Sequence, residues 1–269
     1  VGTTQSATRQ AFTLGQTDVP GEPTYFCRTV VSSVAGAGNF CVLTQYIENV
    51  RTFAGQQVTV SFWAKADATK NIAVNMEQVF GTGGSPSANV VISGTKISVG
   101  TTFQKVTLTA TLPSISVKTL GTNNNSTLNL YIWFDAGSTW NGYTDSLGQQ
   151  SGTFDIAQVQ IEPGSVATPF EQRPIGTELA LCQRYFETGN LNIRRGSSEA
   201  GEAQLEIIRF CVTKRTSPTI SAGGSLTNVN VASDSFINIA SNVFNWSVVP
   251  ATVGGYQLSG RTFLASAEL

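Results

Sequence analysis

The chain has 269 residues, with 16 Lys and Arg against 17 Asp and Glu, a formal net charge of −1, and no histidine. Near-neutrality provides no basic field for a phosphate backbone, so nucleic acid is not an expected partner; the absence of imidazole excludes Ser-His-Asp and Cys-His catalysis and any His metal ligand. Charged residues make up only 12%, about half the usual share, and the abundant uncharged polar residues and glycine suit short strands joined by turns, with part of the weakly charged surface buried in an oligomer.

Two apolar runs, 10–16 and 25–31, flank a Pro/Gly cluster at 18–23 and read as strands around a loop. A further run covers 40–50. In 58–66, Val58, Val60, Phe62 and Ala64 share one face, while Thr59, Ser61, Trp63 and Lys65 share the other, the signature of a half-buried strand. A turn cluster at 81–87 is followed by alternating segments at 103–110 and 128–134, and 154–161, with Phe154, Ile156 and Ile161 among its apolar members, closes this half. Short strands at regular spacing predict a jelly-roll β-sandwich over 1–162. Pro163, Pro169 and Pro174 predict an extended linker, and Thr177 is placed to cap a short helix over 178–186 with Leu179, Cys182 and Phe186 as its apolar stripe. Residues 163–186 thus separate the sandwich from a smaller β domain over 187–269, with strands at 203–213, from 218, and at 236–239, 244–249 and 256–264. The fold class is mostly β.

Cys27, Cys41, Cys182 and Cys211 form no CxxC pair, so zinc is not expected. Each lies in an apolar stretch, as buried free thiols do; a Cys27–Cys41 bridge is the alternative in an oxidising compartment. No stretch approaches the ~20 apolar residues of a membrane span, so no membrane insertion is expected. The start, Val1-Gly2, carries neither Met nor a signal-peptide pattern, and the chain reads as a fragment or a processed product.

Residues 155–164 (DIAQVQIEPG), 167–176 (ATPFEQRPIG) and 178–186 (ELALCQRYF) resemble a signature of bacteriophage tail-fibre and tail-associated proteins. Residues 60–66 (VSFWAKA), 80–87 (FGTGGSPS) and 112–121 (LPSISVKTLG) match the same group, and Ala267-Glu268-Leu269 looks like the end of such chains. The first half also looks like a carbohydrate-binding-module jelly roll. The resemblance implies a virion surface protein of the tail fibre, a homotrimer associated with other tail proteins, that recognises host cell-surface polysaccharide or lipopolysaccharide. It supplies no catalytic residues, and family members commonly carry further sequence before the point where this chain starts.

Binding candidates are aromatic and amide side chains, since rings stack on the C–H faces of sugars while Asn and Asp meet hydroxyls. Trp140, Asn141, Tyr143 and Asp145 lie in a polar, Gly-containing stretch after a strand, where binding residues concentrate. The competing reading folds Trp140 and Tyr143 back onto the sandwich. Tyr131 and Trp133 share a sheet face, with Trp63 a further candidate there, as groove or as core or subunit interface. Trp246 is a tip aromatic or a core residue. In carbohydrate-binding jelly rolls an acid near the closing strand often helps hold a structural Ca²⁺, which makes Asp155 the candidate metal ligand, with a turn-capping role as the alternative. Asp135 and Asp145 are the acids available to a capsule depolymerase, the enzymatic alternative. A structural virion protein without glycan binding is the third reading. Arg194-Arg195 is a small basic spot that reads as a solvated turn rather than an anion site.

Overall fold

The computed structural model describes residues 3–196, 198–224 and 227–268, so the expectations resting on Val1, Gly2 and Leu269 lie outside the described residues. The chain divides into a first unit ending at Glu171 and a second spanning Gln172–Glu268.

The first unit contains β1 (Thr4–Ala11), β2 (Tyr25–Ser32), β3 (Phe40–Glu48), β4 (Gln57–Ala66), β5 (Lys70–Val79), β6 (Val90–Val99), β7 (Gln104–Thr111), β8 (Thr127–Ala136), the short helix α1 (Asn141–Thr144) and β9 (Gly152–Pro163). They form two antiparallel sheets, ordered β1-β2-β9-β4-β7 and β3-β8-β5-β6. The alternation of β4 sends Val58, Val60, Phe62 and Ala64 into the core, where they meet Ile72, Val74 and Met76 of β5 and Leu128, Leu130, Ile132 and Phe134 of β8. The mostly β sandwich expected from the sequence is thus present. Its first strand lies at Thr4–Ala11 rather than 10–16, because residues 12–24 are taken up by the Pro/Gly loop.

The segment expected to be a linker divides. Residues 164–171 stay with the first unit: the Thr168 hydroxyl donates to Glu162 Oε2 at 2.7 Å and the Glu171 amide donates to Gln160 Oε1 at 2.9 Å.

The second unit begins with α2 (Ile175–Gln183), followed by β10 (Phe186–Arg195), β11 (Gln204–Arg209), β12 (Thr219–Gly223), β13 (Thr227–Val229), β14 (Val231–Ile237), β15 (Val243–Pro250) and β16 (Tyr256–Ser266). The helix starts before the predicted cap at Thr177, because Pro174 with φ −55° occupies the N-cap. It ends before Phe186, which opens a strand, and Leu179 and Cys182 are exposed rather than buried. One sheet runs β10-β16-β12, with β13 also on β16; the other runs β11-β15-β14. Leu191, Phe244, Trp246, Leu258 and Phe263 pack in this unit's core. Two ion pairs lie inside it. Lys214, with no exposed side-chain surface, pairs with Glu187, and Arg261 pairs with Asp234.

All four cysteines are free, and Cys182 and Cys211 are exposed, which corrects the expectation of buried thiols at those two positions. Among the described residues no helix is long and apolar enough to cross a membrane.

Candidate functional site

Every second residue of β8 points away from the core, so Asn129, Tyr131 and Trp133 stand in a row on the outer face of the four-stranded sheet. The register places Trp133 between Val42 and Ala73, Tyr131 between Thr44 and Asn75, and Asn129 between Tyr46 and Glu77. Side chains from residues some 50 to 90 positions apart in sequence therefore meet on one surface.

They are joined by hydrogen bonds. Trp133 Nε1 donates to Asn75 Oδ1 at 2.7 Å. Asn129 Nδ2 donates to the Tyr131 hydroxyl at 2.8 Å, and that hydroxyl donates to Glu77 Oε2 at 2.8 Å. Asn89 Nδ2 donates to Glu77 Oε1 at 3.3 Å. Asn75, Glu77 and Asn129 are buried although they lie on the outer side of the sandwich, and Asn129 Oδ1 has no hydrogen-bond partner. Burial pushes the Tyr131 hydroxyl above the ordinary phenol range, and the Glu77 carboxylate adds to this while the Asn129 bond opposes it. Tyr131 therefore remains a hydrogen-bond donor through neutral pH. Tyr46 is 48% exposed at the edge of the row.

The 140–145 segment closes one end. Ser138–Trp140 forms a 3₁₀ turn that runs into α1, and Asp145 at φ 51° ends that helix in the left-handed region. The predicted loop is therefore helical. The ring centroids of Trp140 lie 4.9 Å from Phe40, 5.4 Å from Trp133 and 5.6 Å from Tyr143, and the indole N–H of Trp140 donates to Gly38 O at 3.1 Å. Trp140 and Tyr143 are half-buried against Trp133, whereas Asn141 and Asp145 are exposed. The close approach requires Gly94 of β6, since a Cβ there would overlap the Tyr143 carbonyl.

Other predicted positions fall elsewhere. Trp133 is only 3% exposed, so it supports the face and offers no open ring. Trp63 packs near Phe12, Phe26 and Phe103, on the other sheet. Trp246 is 1% exposed and donates its indole N–H to Asp234 at 2.9 Å, so the tip-aromatic reading is corrected: alternation in β15 turns this ring inward. Asp155 as a metal ligand is likewise corrected. Its buried carboxylate accepts from Arg28 Nε and Nη2 at 2.7 and 2.8 Å and lies 3.7 Å from Lys65 Nζ, so two cations already neutralise it. Among the described residues no cluster of three or more Cys, Asp or Glu could hold a metal ion. Asp135 is fully buried and accepts from Thr3, Ser33 and the Gln150 amide, so it is not open to a substrate. Sequence reading missed β5 altogether, and with it Asn75 and Glu77, as well as Asn89; the alternation of Ile72, Val74 and Met76 is the signal that could have found the strand.

No protein-family model matches the chain, and no curated protein matches it. Among solved structures, the CBM22-2 xylan-binding domain of Paenibacillus barcinonensis Xyn10C is 15% identical with a TM-score of 0.37, over 60% of this chain and 88% of that one. A family 11 carbohydrate-binding module from Clostridium thermocellum, solved with a β-1,3-1,4-mixed-linked tetrasaccharide, is 9% identical with a TM-score of 0.37, over 62% and 87%. The enzymatically active domain of tailspike protein 4 from bacteriophage CBA120 is 15% identical with a TM-score of 0.34, over 60% of this chain and 19% of that one. These values assign the chain to no family.

Proposed function

We propose that the first unit binds a bacterial surface glycan on the outer face of β3-β8-β5-β6, without chemical turnover. The observation that carries this is the polar row Asn129–Tyr131–Glu77–Asn89, with Asn75 beside it. Polar side chains on an outer sheet face ordinarily meet water and need no mutual fixing. Here they are held at defined positions, which lowers the entropy lost on binding a polyhydroxylated ligand. Exposed Tyr46 supplies an aromatic face for a sugar ring at the edge of this row. The resemblance to tail-fibre proteins gives the biological setting: a homotrimeric tail-fibre component in a virion, joined to other tail proteins and facing host polysaccharide or lipopolysaccharide. The exposed side chains Leu205, Ile207 and Ile237 on β11 and β14 support subunit contact, because apolar patches of this kind are usually covered by a partner. Such an assembly multiplies weak contacts through avidity.

A bacterial glycan array probed with the intact chain tests this, alongside molar mass by light scattering. Specific hits that disappear in Tyr46→Ala, at unchanged melting temperature, are expected. Hits retained in full by that variant, or an array without hits, would remove this face as the site.

A further inference from the structure

We propose a second ligand site, for an acidic sugar, in the cleft between the edge strands β10 and β11 of the second unit. The cleft has a volume of about 400 Å³, within the roughly 300–1,000 Å³ of small-ligand sites. It fits one or two sugar rings. Ile208 provides apolar lining over the buried Ile193 and Trp246, while Asn190, Arg194 and Arg195 provide donors. Each of β10 and β11 ends its sheet, so the cleft opens along two strand edges that pair with no further strand among the described residues.

The basic pair, which reads as a solvated turn in the sequence, is the end of a strand. Alternation places Arg195 on the inward side with Leu191 and Ile193, where it forms an ion pair with Glu206 from β11 across the cleft. Arg194, which the same alternation turns to the exposed side of β10, borders the cleft and has no carboxylate partner among the described residues. Tyr256 lies opposite Arg195 in the register, its side chain buried beside that guanidinium. Beneath, the Trp246 ring is fixed by its bond to Asp234, which Arg261 also holds. The combination of an apolar floor, one uncompensated guanidinium and a second guanidinium held in place by a single carboxylate matches a ligand with C–H faces and a carboxylate of its own. Planar guanidinium groups recognise carboxylates through paired N–H donors. A uronic acid has these features, whereas a neutral hexose lacks the anion. This inference is independent of the site on the first unit.

The test is titration of the intact chain with glucuronate, and separately with glucose, followed by ligand-observed NMR. Saturable glucuronate binding with a Kd of about 1 mM is expected, with no displacement by equimolar glucose. Arg194→Gln and Arg195→Gln should each weaken it by about tenfold or more, as loss of a hydrogen bond to a charged group does. Glu206→Gln should tighten it, because the ligand then no longer competes for Arg195. Lys105→Gln, an exposed cation on the first unit, controls for non-specific attraction and should bind as the parent does. Circular dichroism melts establish that each variant is folded. Three results would overturn the inference: no saturable glucuronate binding, parental affinity in both arginine variants, or binding abolished by Tyr131→Phe, which would locate it on the first unit.

Discussion

Replacing Tyr131 by Phe removes one oxygen and keeps the ring. That oxygen accepts from Asn129 and donates to Glu77, both of them buried. The bond to the carboxylate is worth roughly 1.5–3 kcal/mol, and a buried amide donor left without an acceptor adds its desolvation penalty. A net loss of about 2–3 kcal/mol follows, which for a unit of this size lowers the melting temperature by about 5–10 °C. Calorimetry of the intact chain at neutral pH measures it, compared with Glu77→Gln and the double variant. Because Tyr131→Phe breaks the bond that Glu77→Gln weakens by removing its charge, the double variant should cost less than their sum. A Tyr131→Phe melting temperature within about 1 °C of the parent, or strict additivity, would refute the view that these side chains act as a unit.

Asp155→Asn removes the partner of Arg28 and Lys65 in a buried position and should cost about 2–4 kcal/mol in denaturant unfolding, whereas a chelator should leave the parent's midpoint unchanged. Cys41, whose thiol is pushed up to about 12 by burial and then by Asp135, should resist iodoacetamide at pH 8 while exposed Cys182 reacts; Cys211, exposed but pushed up by its hydrogen bond to Glu187, should react more slowly than Cys182, as read by mass spectrometry. Since the folded thiol holds its proton more tightly than the unfolded one, its contribution is fully present below the ordinary value of 9.0 and is lost as pH rises towards about 12, so the first unit should weaken across that window. Gly94→Ala drives a methyl group into the Tyr143 carbonyl and should displace α1, seen as increased quenching of Trp140 fluorescence by acrylamide.

The sandwich was legible because strands with one apolar face announce themselves locally. Val58, Val60, Phe62 and Ala64 alternate in sequence and all reach the core. The site was only partly legible. Tyr131 and Trp133 could be assigned to one face by period two, but their partners Asn75 and Glu77 come from a strand that pairs with β8 across more than 50 residues, and no local pattern encodes that pairing. The aromatics of the 140–145 segment were found as a group with two directions open, and the one the structure shows, folding back on Trp133, depends on Gly94 in a distant strand. The tip-aromatic reading of Trp246 and the metal-ligand reading of Asp155 failed for a shared reason: a polar or aromatic residue next to a loop looks available, and only the facing sheet or the paired cations show that it is occupied; the alternative, core reading of Trp246 is the one the structure bears out.

The ion pairs inside the second unit bear on which alignments of its strands are possible. Lys214 meets Glu187 and Arg261 meets Asp234 only when β10, β14 and β16 hold their observed registers. Sliding β16 by a single residue would turn Arg261 to the opposite side and strand Asp234 against apolar neighbours, at the cost of an unneutralised charge. An all-hydrocarbon interior would tolerate such a slide far better. Charge in this interior thus acts as a lock on alignment, and it excludes near-miss folds that hydrophobicity alone would admit.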